Sequence, residues 1–265
     1  MRSEHIAVVG AGKMGCEISQ IFAAGGHEVI LFDLNDDVQE GAFETIRSNL
    51  TVLSEHGFCL PEQIEPTMGQ IKPAGSLKEA VASARFVVEA ITEDPKAKQD
   101  LFREIEKLCS PITILASHAA EISVTEIAAK TKDKERVVGT YFWPPSYLIP
   151  LVEVAGGRET LKEVMEYTCN ILKSVGKYPV LVQKGVPGLI GNRLQHALWR
   201  EATAIVEQGI ADPKTVDEVI KKGLSLCLSV MGPLENADPT GPDQTFQMDK
   251  RLLKLVECHL KASEA

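Results

Sequence analysis

A chain of 265 residues with a formal net charge of −9, 44% hydrophobic and 25% charged residues has a globular composition, neither disordered nor membrane-embedded. That acidic balance, with Lys and Arg scattered, excludes a surface built for nucleic acid or anionic lipid. No apolar run reaches the roughly 18 residues that span a bilayer, the N-terminus enters a strand without a signal-peptide layout, and the six cysteines lack CxxC or metal spacing, so reduced thiols, no metal and a cytoplasmic location are expected.

In chain order, HIAVVG (5–10) is a short apolar run ending in glycine, and a helical segment from Met14 to Ala24 leads into EVILFDLN. Strand, helix and strand in about thirty residues make one βαβ unit. Gly10, Gly12 and Gly15 form G-x-G-x-x-G at its first turn. The first glycine allows the tight turn, the second lets backbone amides approach a pyrophosphate, and the third lets helix and strand pack closely. Asp33 ends the second strand, about 20 residues further on, where a carboxylate accepts from a ribose 2′-hydroxyl and repels a 2′-phosphate. NAD is the expected cofactor, with Gly10, Gly12, Met14, Gly15 and Asp33 as its contacts.

Asp36 to His56 reads as a polar helix, with LPEQIEPTMGQI as a second arm beyond it, inserted between the second and third strands. The parallel-sheet pattern then continues through RFVVEAI (85–91), PITILAS (111–117), RVVGTYF (136–142), PLVEVAG (150–156) and KYPVLV (177–182), separated by helical stretches. From Pro187 onward the periodicity is helical. LIGNRLQHALWREATAIVEQG carries apolar residues at helical spacing, and DPKTVDEVIKKG follows with Asp212 as N-cap. The expected architecture is α/β: a Rossmann-type, mostly parallel sheet domain (1–183) followed by a small all-α domain (184–265).

Beyond the glycines, GAGKMG, VEAITED…K (88–98), ILAS…ISVTEIA (114–128), RVVG…PLVEV (136–154) and VPGLIGNRL (186–194) resemble the L-3-hydroxyacyl-CoA dehydrogenase family from residue 5 to about 250. LIPLVEV and NRLQHALWREA look closer to its branch containing L-gulonate 3-dehydrogenase, lambda-crystallin and carnitine dehydrogenase, which use no coenzyme A. MGPLENADPTGPDQT matches that branch too, although the chain stops before the glycine-rich tail expected after it.

The resemblance implies that Glu93 and Lys98 lie near the nicotinamide; by residue type alone they are a solvated pair at a helix start. It implies that Glu153 belongs to a catalytic dyad, where an otherwise apolar strand demands a partner for its carboxylate. It implies that Asn192 is a polar member of the substrate site. The dyad His, however, is replaced by Tyr141 in the sequence Tyr141-Phe142-Trp143-Pro144-Pro145. The family's S-N-T-S segment becomes Ser117, His118, Ala119 and Ala120.

Three outcomes stay open. Proton transfer passes to Tyr141 or His118, the latter an imidazole that titrates near neutrality. Alternatively the pocket reduces C=N bonds, which need less help from an acid. Or the protein binds cofactor without catalysis. Ser117 is placed at substrate or ribose, or as a strand-end cap; Trp143 and Tyr147 wall the pocket or simply pack. The expected reaction is hydride transfer between NAD and C3 of a 3-hydroxy/3-oxo acyl substrate, a CoA thioester or a small free acid, in a homodimer.

Overall fold

The structure is a computed structural model that describes residues 3–237. Its chain divides into two compact units, residues 1–190 and 191–265. Cys258 and the expected match beyond Ala237 lie outside the described residues.

In the first unit β1 (His5–Val9), α1 (Lys13–Ala24) and β2 (Glu28–Phe32) open the chain. β1 is buried along nearly its whole length because helices cover both faces of the sheet, which is why it reads as an apolar run rather than an alternation. α2 (Asp36–Glu55) buries one stripe, Ala42, Ile46, Leu50 and Leu53, at helical spacing, and Asn35 caps it by accepting from the Asp37 and Val38 amides. Such a cap is worth about 1 kcal/mol. The second arm is α3 (Ile64–Gly69).

β3 (Ile71–Pro73) and α4 (Leu77–Val81) were not expected; β3 has three residues, of which only Ile71 is buried, so it leaves no pattern to read. β4 (Phe86–Glu89), α5 (Pro95–Leu108), β5 (Ile114–Ser117), α6 (Val124–Ile127) and β6 (Val137–Phe142) follow, then β7 (Leu151–Gly156), α7 (Lys162–Ser174) and β8 (Tyr178–Val182).

The eight strands form one sheet in the order β3-β2-β1-β4-β5-β6-β7-β8. The expectation of a continuing parallel pattern fails at one joint: β7 runs antiparallel to β6, placing Tyr141 directly opposite Glu153. An apolar run does not encode strand direction. β8 returns parallel to β7. The core lies in two layers. Ile18, Phe22, Ile46 and Leu172 pack against one face of the sheet, and Val81, Phe102, Ile105 and Ile127 against the other.

The second unit has no strand among its described residues. It contains α8 (Gly191–Glu207), α9 (Pro213–Val219), α10 (Ser225–Leu228) and α11 (Pro233–Ala237). Asp212 caps α9 as expected, accepting from the Thr215 amide at 2.9 Å. Leu194, Leu198 and Trp199 of α8 are exposed. No helix among the described residues is long and apolar enough to cross a membrane.

Candidate active site

Strand order reverses between β1 and β4, so the crevice outside their carboxyl ends is where an open α/β sheet binds ligands. The glycine turn stands at that point. Gly10 has φ +104°, and an added Cβ there would lie 2.7 Å from the Ala90 carbonyl oxygen. A Cβ on Gly15 would lie 1.8 Å from the Gly10 oxygen, so the helix crosses the turn with room only for hydrogen. At Gly12 the direction is open, with nothing within 4 Å.

Gly12 is also the N-cap of α1, which has no side-chain cap and no acidic residue in its first turn. The first amides of the helix are thus left without a side-chain acceptor, the arrangement that suits a pyrophosphate. Asp33 is held in place: Oδ2 accepts from the Ala11 amide at 2.7 Å and Oδ1 from the Asn35 amide at 3.0 Å. Beside it a cavity of about 340 Å³, lined by Phe32, Asp33, Leu34, Leu77 and Leu101 among others, has the size and apolar walls for an adenosine end. Met14, in the first turn of α1, is half-buried against the core. These residues fit a dinucleotide.

Glu93 and Lys98 are not a solvated pair. The Lys98 side chain is 0% exposed, with Nζ 2.6 Å from Glu89 Oε1 and 3.6 Å from Glu93 Oε2. It also donates to the His118 carbonyl at 3.3 Å. Glu93 Oε1 accepts from the amides of Ala120 and Glu121, each at 3.0 Å, and so joins the loop after β4 to the loop after β5. Ser117 is fully buried and donates to Glu89 Oε2 at 2.6 Å. Its hydroxyl faces this buried carboxylate rather than capping the strand end.

Glu89 was missed from sequence. Its signal was available: a carboxylate inside VVEAI needs a partner for the same reason that Glu153 does. Burial pushes its pKa up, while Lys98, Ser117 and the Ile91 amide pull it down.

Tyr141, His118 and Glu153 come together at the carboxyl ends of β5 and β6. The His118 and Tyr141 rings stack at 5.1 Å between centroids with 11° between planes, and Trp143 meets Tyr141 edge-on at 6.2 Å. His118 Nδ1 accepts from the Phe142 amide at 3.3 Å. Burial, helped by the nearby Lys98 charge, lowers the imidazole pKa to about 4, so it is neutral at neutral pH. Glu153 is buried; Oε1 accepts from the Trp143 indole at 3.2 Å and Oε2 from the Ile190 amide at 2.7 Å.

Trp143 thus holds a carboxylate as well as packing, whereas Tyr147 packs against the core. The next loop is anchored from α1: buried Glu17 accepts from both the Ser146 amide and hydroxyl. Leu189 packs beside Tyr141 at φ +46°, a left-handed conformation that costs a non-glycine residue roughly 1 to 2 kcal/mol. Asn192 is the second residue of α8, in the second unit, and is half-buried.

Among the described residues Cys16 and Cys169 are buried and Cys227 is exposed. No described cluster of His, Cys, Asp or Glu could hold a metal ion.

Residues 5–185 match the family description 3-hydroxyacyl-CoA dehydrogenase, NAD binding domain, and residues 188–257 match the 3-hydroxyacyl-CoA dehydrogenase C-terminal domain. The chain is 35% identical over 243 residues to the 3-hydroxyadipyl-CoA dehydrogenase of Escherichia coli (strain K12), covering 92% of this chain but 50% of that protein. It is 35% identical over 243 residues to the probable 3-hydroxybutyryl-CoA dehydrogenase of Bacillus subtilis (strain 168), covering 92% of this chain and 83% of that protein.

A solved structure of 5-formyl-3-hydroxy-2-methylpyridine 4-carboxylic acid 5-dehydrogenase, described as an NAD+-dependent dismutase, superposes with a TM-score of 0.89 at 30% identity. It covers 99% of this chain and 84% of that one. The glycine turn, the capless helix pole and the placed Asp33 agree with these likenesses. The chain belongs to the 3-hydroxyacyl-CoA dehydrogenase family, with NAD as its cofactor.

Proposed function

We propose that the protein transfers hydride reversibly between NAD and C3 of a 3-hydroxy/3-oxo substrate, with Tyr141 as the group that exchanges the proton. When bound, the reduced cofactor supplies the hydride to the carbonyl carbon. The phenol of Tyr141 gives its proton to the carbonyl oxygen during reduction and is reprotonated from solvent; oxidation runs the same step in reverse. The observation that carries this reading is the placement of Tyr141, opposite Glu153 and stacked on His118 at the end of the sheet that holds the glycine turn.

His118 is the weaker candidate. With its pKa near 4 and Nδ1 taken by the Phe142 amide, it is a poor base at neutral pH, and its role is to fix the Tyr141 ring. Glu153 holds Trp143 and the segment at Ile190 instead of charging an imidazole. Asn192 keeps the assignment the resemblance gives it, a polar member of the substrate site. The division at 183/184 into a cofactor domain and a substrate and dimerisation domain, and the homodimer itself, belong to the same reading.

Both CoA thioesters and small free acids fit within it. Two of the relatives described above are named for CoA substrates, whereas the one with a TM-score of 0.89 is named for a pyridine carboxylic acid. The C=N alternative draws no support from them. NADH consumption with a 3-oxoacyl-CoA, a free 3-oxo acid and a pyridine aldehyde, each with and without ammonium, tests the proposal. Turnover independent of ammonium is expected; turnover only with ammonium overturns it.

A further inference from the structure

Glu89, Lys98 and Ser117 are each 0% exposed, and their contacts converge on one carboxylate. Glu89 Oε1 accepts from Lys98 Nζ at 2.6 Å and from the Ile91 amide at 2.8 Å, while Oε2 accepts from Ser117 Oγ at 2.6 Å. Every partner is a donor, which fits a group that only accepts. Lys98 in turn reaches the carbonyls of Ile91 at 3.5 Å and His118 at 3.3 Å. The ammonium's donors are therefore directed into the protein.

The Ile91 end of this network begins the loop leading to Glu93, and the His118 end begins the loop whose amides Glu93 holds. These two loops border the crevice next to the glycine turn. We propose that Glu89 is the positioning residue of that crevice, fixing the loops at 91–94 and 118–121 through Lys98 and Ser117. In this reading Lys98 serves the cofactor as an internal tie, by holding the backbone that faces it. The inference rests on the crevice being the seat of the proposed hydride transfer.

A structural pair and a positioning pair differ in what an apolar replacement restores. Exchanging a buried ion pair for hydrophobic side chains of similar volume commonly preserves stability, whereas removing one partner does not. The test is Glu89→Leu combined with Lys98→Met, together with Ser117→Ala, read by melting temperature, by NADH fluorescence titration without substrate, and by NMR titration of His118. The double variant is expected to melt near the parent yet bind NADH at least about tenfold more weakly, the weight of one charge-assisted hydrogen bond.

Its His118 should titrate above the parent value of about 4, because the Lys98 charge is gone. Ser117→Ala should weaken NADH by a smaller factor. A double variant that folds and binds NADH like the parent, with His118 unmoved, overturns the proposal. If the double variant does not fold, Ser117→Ala decides, and unchanged NADH affinity overturns it. Because the affinity is read without substrate, a parent that turns over nothing counts against the proposed reaction and not against this inference.

Discussion

At the scale of single residues, the proposal gives the proton step to Tyr141 and leaves His118 stacked on its ring. Replacing Tyr141 by Phe keeps the ring and removes the hydroxyl that carries the proton. The account therefore expects Tyr141→Phe to lose at least about a hundredfold in kcat, the usual weight of a general acid, with NADH affinity unchanged by fluorescence titration. Activity within twofold of the parent would return the proton step to another group.

His118 makes a separate prediction through stability. The unfolded chain takes up its proton near the ordinary value of 6.5, whereas the folded chain resists until about 4. Its contribution is therefore complete above pH 6.5, falls as the pH drops through that window, and is gone below about pH 4. Up to roughly 3 kcal/mol is involved. Burial lowers the pKa of His27 too, so the measurement is a difference. Urea unfolding of the parent and of His118→Asn between pH 4 and 7 should show the steeper loss in the parent, and parallel curves would contradict the assigned environment.

At the scale of elements, the glycine turn separates packing from binding. Gly15→Ala puts a methyl 1.8 Å from the Gly10 oxygen, so the turn must open: a lower melting temperature and weaker NADH binding are expected together. Gly12→Val points into open space. It should leave the melting temperature within a few degrees, yet weaken NADH at least about tenfold by obstructing the pyrophosphate path. Melting temperatures lowered equally in the two variants, or NADH affinity unchanged in Gly12→Val, would contradict the assignment of the turn.

The turn was legible because its function is written in adjacent residues. Asp33 was legible for a similar reason, lying one strand and one helix further on. The Glu89 network was not, since Ser117 is 28 positions away and meets it only through the pairing of β4 and β5. β3 was hidden by its length, and the reversal of β7 by the fact that side-chain burial does not report strand direction. Yet that reversal sets Tyr141 against Glu153, so the most function-bearing register was the least readable.

At the scale of the whole molecule, the two-layer core follows from apolar patterning, and the helical character of the second unit from its periodicity. The apolar residues exposed on α8 carry the expectation of a partner copy. Sedimentation velocity at micromolar concentration should show a species of twice the mass of the 28.9 kDa chain; a monomer would remove the dimer from the account.

The central claim is hydride transfer at a 3-oxo carbon with a phenol in place of the family's imidazole. Its most direct test follows NADH at 340 nm with acetoacetyl-CoA and with a free 3-oxo acid, for the parent and for Tyr141→Phe side by side. The account predicts steady oxidation of NADH by the parent on at least one of the two substrates and its near loss in the variant. NADH bound tightly by the parent but oxidised on neither substrate would contradict it.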